Sequence, residues 1–242
     1  MWSRKFDPEK AAHEAVLAAR RVIGDRLSAA TLYGSAASGE FRPAHSDVNI
    51  AFVFTVLGAR ELETIRKAHR EWEKRRVVRP LLLSADGLDR SRDTFPLEYL
   101  LIRERHVALY GADPFASIAI DRAALRSQVE RVLRAQELGL AVSYVSLAST
   151  PAGARRWASQ AASALAASAS GLLFLTEGAV PATRKETAER SAARFGVDPG
   201  VLSSLLTRES GPAVVPATQL LESAQALLAR LLEETERLDG SR

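Results

Sequence analysis

A chain of 242 residues with 47% hydrophobic and 26% charged side chains is long enough for one large domain or two small ones, and has the make-up of a folded globular protein. It contains no cysteine, which excludes a disulfide framework, a thiolate metal site and a thiol nucleophile, and fits a reducing compartment. A net charge of +4 suits an anionic partner such as a nucleotide or nucleic acid, and equally suits an Arg-rich solvated surface.

The N-terminal stretch "MWSRKFDPEKAAHEAV" has no apolar core of signal-peptide type, and no apolar run approaches the roughly 20 residues that cross a bilayer, so a cytoplasmic protein with no membrane partner is expected. Residues 9–26 place Ala12, Ala15, Val16, Ala19, Val22 and Ile23 at helical spacing, which predicts an amphipathic helix. Four short runs rich in Val, Leu, Ile, Phe and Tyr read as strands: 27–33, 48–54, 77–83 and 106–110. Between the second and third lies a charged helical pattern, 59–76, with Leu62, Ile65 and Trp72 as its inner face.

Near residue 118 the strand signal fades. Residues 121–148 form one long amphipathic pattern behind a candidate N-cap, Asp121. Pro151 breaks it. An Ala- and Ser-rich helix follows over about 152–176 and stops before Gly178; its small side chains suit the centre of a bundle. Further helices are predicted at 184–195, 199–207 and 216–237, separated by Gly196, "DPG" and "SGP". The chain is therefore read as two domains: an α/β domain at 1–117 and an all-helical bundle at 118–242, α+β overall with a small mixed sheet in the first.

The chemistry concentrates in "YGSAASGEFRPAHSDVNIAFVF", residues 33–54. Gly34 ends a strand, and Ser35 to Ser38 read as the opening of a short helix. Such a turn offers backbone N–H groups and a hydroxyl to a phosphate. Asp47 and Asn49 open the next strand two residues apart, so they share one face. His45, just before them, is either a phosphate contact or a plain loop histidine.

This order of parts resembles the nucleotidyltransferase superfamily that includes DNA polymerase beta and kanamycin nucleotidyltransferase. The signature of that family is hydrophobic-Gly-Gly/Ser, a short gap, then Asp/Glu-hydrophobic-Asp/Glu; "LYGS" and "SDVN" match it in order and strand context. "FPLEYLLIRERHVALYGADPF", residues 95–115, is similar to the closing strands of small bacterial members. The helical half is similar to the bundle that follows such domains, of the kanamycin-nucleotidyltransferase or HEPN type. Residues 118–242 contain no histidine, which argues against HEPN-type nuclease chemistry.

The resemblance implies a nucleoside triphosphate whose β- and γ-phosphates rest on Gly34, Ser35 and Ser38. It also implies two Mg²⁺ ions held by three strand carboxylates. The pattern breaks at two of those three. Asp47 is present; Asn49, with one usable oxygen, takes the second place. The predicted strand 77–83 offers Arg79 where a third carboxylate is expected, and Glu98, at the start of "EYLLI", is the best substitute. The expected site is thus Asp47 and Asn49 for catalysis, Gly34, Ser35, Ser38 and Arg79 for the nucleotide, and Asp47, Asn49 and Glu98 for a weakly held Mg²⁺.

Loss of two carboxylates should cut two-metal catalysis by orders of magnitude. The sequence therefore predicts a nucleotidyltransferase-fold protein that binds a nucleoside triphosphate with weak or lost transfer. Two rivals stand beside it. One is an active Mg²⁺-dependent enzyme acting on a small molecule, a protein or an RNA. The other is a non-catalytic scaffold that binds a partner or forms a homodimer through its bundle. The cationic helix flank at 66–76 suits either nucleic acid or solvent. Arg79 suits either triphosphate or Asp47; an Asp86, Asp93 or Glu98 carboxylate beside Asp47 would favour the enzyme.

Overall fold

The computed structural model describes residues 6–43, 46–196 and 216–239. The backbone divides into two compact units. The first holds Met1–Asp93 and Glu98–Ile120, the second Thr94–Leu97 and Asp121–Arg242.

In the first unit, helix α1 (Pro8–Ile23) starts where Asp7 accepts the Lys10 N–H and where Pro8, with no N–H to waste, takes the first position. It buries Ala11, Ala12, Ala15, Val16, Ala19 and Ile23, close to the predicted stripe. Strand β1 (Leu27–Tyr33) pairs antiparallel with β2 (Asn49–Phe54). Helix α2 (Ala59–Glu73) follows, its first turn tied by Glu61 to the Gly58 N–H. Strand β3 (Leu81–Ser84) lies parallel to β2. Helices α3 (Ala85–Arg90) and α4 (Pro96–Glu104) come next, and β4 (His106–Gly111) closes antiparallel on β1. The order β3-β2-β1-β4 makes the mixed sheet that the sequence predicts.

Strand alternation divides the core in two. Leu27, Ala30, Leu32, Ile50, Phe52 and Phe54 face α1 and α2, where Trp72 stacks on Phe52 at 4.8 Å and donates its indole N–H to the Ala15 carbonyl at 3.1 Å. Ala29, Ala51 and Val53 face the other way, under Tyr99, Ile102, Phe115 and Ile118.

One predicted strand is corrected. The run 77–83 becomes a strand only at Leu81, because Pro80 has no N–H for a ladder and steers Arg79 out of register. Val77 is meanwhile used by the end of α2. Its N–H bonds the Trp72 carbonyl and the Arg76 N–H bonds the Glu73 carbonyl, both at 2.9 Å, and Trp72 and Val77 share one apolar cluster. This is a Schellman ending with Arg76 at the left-handed position, φ 61°, where glycine is usual and any other residue costs about 1 kcal/mol. Within the run 95–115, likened above to closing strands, residues Pro96–Glu104 are α4, with Leu97, Tyr99, Leu100 and Ile102 buried, and the strand is confined to His106–Gly111.

The second unit contains α5 (Arg122–Leu147), α6 (Pro151–Glu177), α7 (Arg184–Phe195) and α8 (Ala217–Asp239). Asp121 caps α5 through the Ala123 and Ala124 N–H groups, as predicted. The Ala-rich α6 buries Trp157, Ala161, Ala162, Leu165, Ala169, Leu172 and Leu173. Its length and hydropathy match those of a membrane span, and 61% of that window is buried among its own neighbours, as in a core helix. The predicted helix at 199–207 lies outside the described residues.

Candidate nucleotide site

The site forms where β1 ends beside the start of β2. Gly34 leaves β1 with φ 73°, and its carbonyl accepts the Ala37 and Ser38 N–H groups, both at 3.0 Å. The expected short helix is a single 3₁₀ turn, Gly34–Ala36. A single turn sums few peptide dipoles, so what it offers an anion is local N–H groups and the Ser35 hydroxyl. The Ser38 hydroxyl lies 3.5 Å from a Glu40 carboxylate oxygen.

Asn49 pairs with Tyr33 across the ladder. Its Nδ2 would lie 3.0 Å from a Cβ built on Gly34, so the carboxamide fills the space that glycine leaves open. Glycine is thus required twice here, for the left-handed backbone and for close approach. Val48 is buried on the α1–α2 face, and its N–H bonds the Arg76 carbonyl at 2.9 Å. Alternation then turns Asp47 and Asn49 to the opposite face. Asp47 is exposed and makes no hydrogen bond or ion pair among the described residues.

Arg79 is exposed, in the bend before β3, and makes no ion pair among the described residues; it does not neutralise Asp47. The parallel register sets Ala51 against Leu81 and Val53 against Leu83. Arg79 precedes the paired residues, in the bend before Pro80, so the ladder sets nothing opposite Asn49, and β3 itself supplies no third carboxylate. Glu98 stands exposed in the first turn of α4, on a helix, not a strand. Asp86 is paired with Arg90 on α3. Among the described residues, no three Asp, Glu or His side chains come together as a metal cluster. The donor set therefore does not fit a two-Mg²⁺ centre: one exposed carboxylate, one carboxamide turned to a glycine, and one guanidinium. His45 lies outside the described residues.

Sequence reasoning missed the row that flanks Asn49. Tyr33 pairs with Asn49 on one side and with His106 on the other. Burial pushes the Tyr33 phenol above its ordinary pKa, so it stays a neutral donor. His106 Nδ1 lies 2.9 Å from the Arg103 carbonyl, and its Nε2 lies 2.6 Å from an Asp113 oxygen. The other Asp113 oxygen accepts the Phe115 and Ala116 N–H groups at 2.9 and 3.2 Å. Burial works to raise the Asp113 pKa, but the His106 and Phe115 hydrogen bonds, the His106 charge and the Ala116 N–H together hold it below the usual carboxylate range. This pair clasps the end of the sheet next to the site. Its sequence signal was the "HVALYGADP" run itself, which has meaning only once β4 is known to lie beside β1. A hollow of about 360 Å³ lined by Leu62, Ile65, Arg66, His69, Trp72, Pro80 and Leu82 lies on the α2 side, away from Asn49.

No protein-family model matches the chain, and no curated protein matches it in sequence. Among solved structures it is similar to the spectinomycin adenyltransferase AAD(9) from Enterococcus faecialis, whose crystal structure contains ATP and spectinomycin. The match has a TM-score of 0.57 and 10% sequence identity, and covers 91% of this chain and 99% of that one. At that identity the likeness speaks of fold, and the site must speak for the chemistry. Over most of its length the chain therefore shares the fold of that adenyltransferase.

Proposed function

We propose that this protein binds a nucleoside triphosphate on the Gly34–Asn49 face and transfers its nucleotide weakly or not at all. The observation that carries this reading is the donor set at the site: Asn49, not a carboxylate, lies beside Gly34, β3 offers no carboxylate, and the polar side chain that leads into β3 is the Arg79 guanidinium. A carboxylate triad attracts cations; this set attracts the phosphates directly. N–H groups of the Gly34 turn, the Ser35 hydroxyl and Asn49 Nδ2 are donors, and the Arg79 guanidinium supplies counter-charge in a form suited to paired phosphate oxygens. Asp47 is the one carboxylate left to approach an acceptor hydroxyl, and by itself it gives general-base assistance only.

The second reading is Mg²⁺-dependent nucleotidyl transfer to a hydroxyl on a small molecule. It is favoured by the extent of the likeness to AAD(9), a protein that binds ATP together with an antibiotic. Protein or RNA acceptors, and a homodimer through the bundle, have no comparable support.

Calorimetric titration separates the two readings. ATP, GTP, CTP and UTP are titrated with Mg²⁺ and then with EDTA, into the wild type, Asp47→Ala and Arg79→Ala. Binding should persist in EDTA. Asp47→Ala should leave it unchanged or tighten it, because a like charge is removed from beside the phosphates. Arg79→Ala should weaken it by about tenfold or more, the value of one charged hydrogen bond. Binding that needs both Mg²⁺ and Asp47, with pyrophosphate released above background, would return the enzyme reading. Absence of binding for all four nucleotides would refute both.

A further inference from the structure

The geometry points to Arg76 as the positioning residue of the nucleotide site: it fixes the Asp47–Asn49 lead of β2 against the Gly34 turn. This rests on the nucleotide-binding reading for its consequence, and on the geometry of the first unit for its substance.

Arg76 occupies a place where glycine is the least strained choice. It is the left-handed residue of the Schellman ending of α2 and the sole positive-φ residue other than glycine among those described. Nothing in ending a helix calls for an arginine there, since the two closing hydrogen bonds use only its N–H and that of Val77. What the side chain and carbonyl do instead is reach across to another segment. The Arg76 guanidinium donates to the Pro43 carbonyl. It also lies over the Phe6 ring, 4.9 Å from its centroid, and Phe6 stacks on Phe41 at 5.4 Å. The Arg76 carbonyl takes the Val48 N–H at 2.9 Å.

These contacts fall on both sides of the connection that carries Asp47. Phe41 and Pro43 lie before it and Val48 after it. Between them Ser46 and Arg42 bond each other, the Ser46 N–H to the Arg42 carbonyl at 2.8 Å and the Arg42 N–H to the Ser46 hydroxyl at 3.1 Å. The connection thus has a local closure, the stack of Phe41 on Phe6, and Arg76, which touches it at two points. The same left-handed backbone that ends α2 aims both groups of Arg76: its carbonyl at Val48 and its guanidinium at Pro43. A shift at Val48 passes to its neighbour Asn49, whose carboxamide lies over the open side of Gly34. Arg76 therefore acts through the lead of β2, with no need to touch a ligand itself.

The test compares Arg76→Gly and Arg76→Lys with the wild type. Glycine relieves the left-handed backbone and removes the guanidinium contacts to Pro43 and Phe6 while keeping a carbonyl for the Val48 N–H; lysine keeps a cation of similar reach and loses the planar fork. Three quantities are read: melting temperature, hydrogen exchange of the Ser46 amide without nucleotide, and the dissociation constant for ATP. Arg76→Gly should melt within a few degrees of the wild type, while Ser46 exchange accelerates at least tenfold and ATP binding weakens at least tenfold. Arg76→Lys should recover part of both losses. An Arg76→Gly protein with unchanged Ser46 exchange and unchanged ATP affinity would show that Arg76 only ends a helix, and would overturn the inference. If Arg76→Gly fails to fold, Arg76→Lys decides by the same two readouts: loss of at least threefold in each supports the anchor, and wild-type values overturn it. Ser46 exchange judges the positioning even if the wild type binds no ATP, an outcome that refutes the function reading alone.

Discussion

Replacing Gly34 by alanine strikes the contact on which the site is built. Two costs add. Gly34 has φ 73°, and a side chain in the left-handed region costs about 1–2 kcal/mol. The new Cβ would also stand 3.0 Å from Asn49 Nδ2, so the carboxamide must leave its rotamer, worth about 0.5–1.5 kcal/mol. Gly34→Ala should therefore destabilise by about 1.5–3.5 kcal/mol. The two costs can be separated by a cycle with Asn49→Ala. In the double variant the backbone cost stays and the contact cost goes, so the double should be less destabilised than the sum of the singles by about 0.5–1.5 kcal/mol. Urea unfolding followed by circular dichroism gives all four values. Additivity within about 0.3–0.5 kcal/mol would show that a side chain at position 34 does not meet Asn49, and would remove the physical basis of the site geometry.

Asn49→Asp restores the second carboxylate at about 7 Å from Asp47 along the strand, where two like charges in water repel by about 0.5 kcal/mol. The variant should melt slightly lower without divalent cations and regain the loss in Mg²⁺, whereas the wild type shows no such Mg²⁺ response; equal responses would contradict the account of the donor set. Gly111→Ala places a Cβ 2.0 Å from the Ser28 carbonyl oxygen on a backbone with φ 73°, so the β1–β4 pairing must break or shift. A loss of about 3 kcal/mol or more is expected, visible as a large drop in melting temperature, and a wild-type melt would refute the register. Asp113 has a folded pKa below its ordinary 3.8, so its stabilising effect is complete above that value and fades as pH falls through the folded value. Asp113→Asn should lower stability at neutral pH and flatten the acid limb of the stability profile below about pH 4, and an unchanged acid limb would show that the His106 clasp carries no stability.

The local signals in this sequence were strong where one element settles its own fate. The stripe of α1, the strand run at 27–33, the Asp121 cap and the Ala-rich α6 each follow from spacing within a single segment. The Gly34–Ser35 turn and the shared face of Asp47 and Asn49 were legible in the same way, because period-two alternation needs no partner strand; that two carboxylates are missing follows only from the family resemblance. Other features depend on which segment meets which. "PLEYLLIRE" offers inward residues at a spacing that suits strand or helix, and it becomes α4 only because the sheet already has its four strands and needs its second face covered. That Arg79 falls outside the ladder follows only from where β2 pairs with β3, and His106 joins the row only because β4 pairs with β1. The approach of Asn49 to the open side of Gly34 and the reach of Arg76 to Pro43 join segments that are separated along the chain. Residue type and spacing determined which groups this protein has for chemistry; strand order and backbone approach decided where they point, because those are fixed by non-local packing, and no short stretch of sequence contains it.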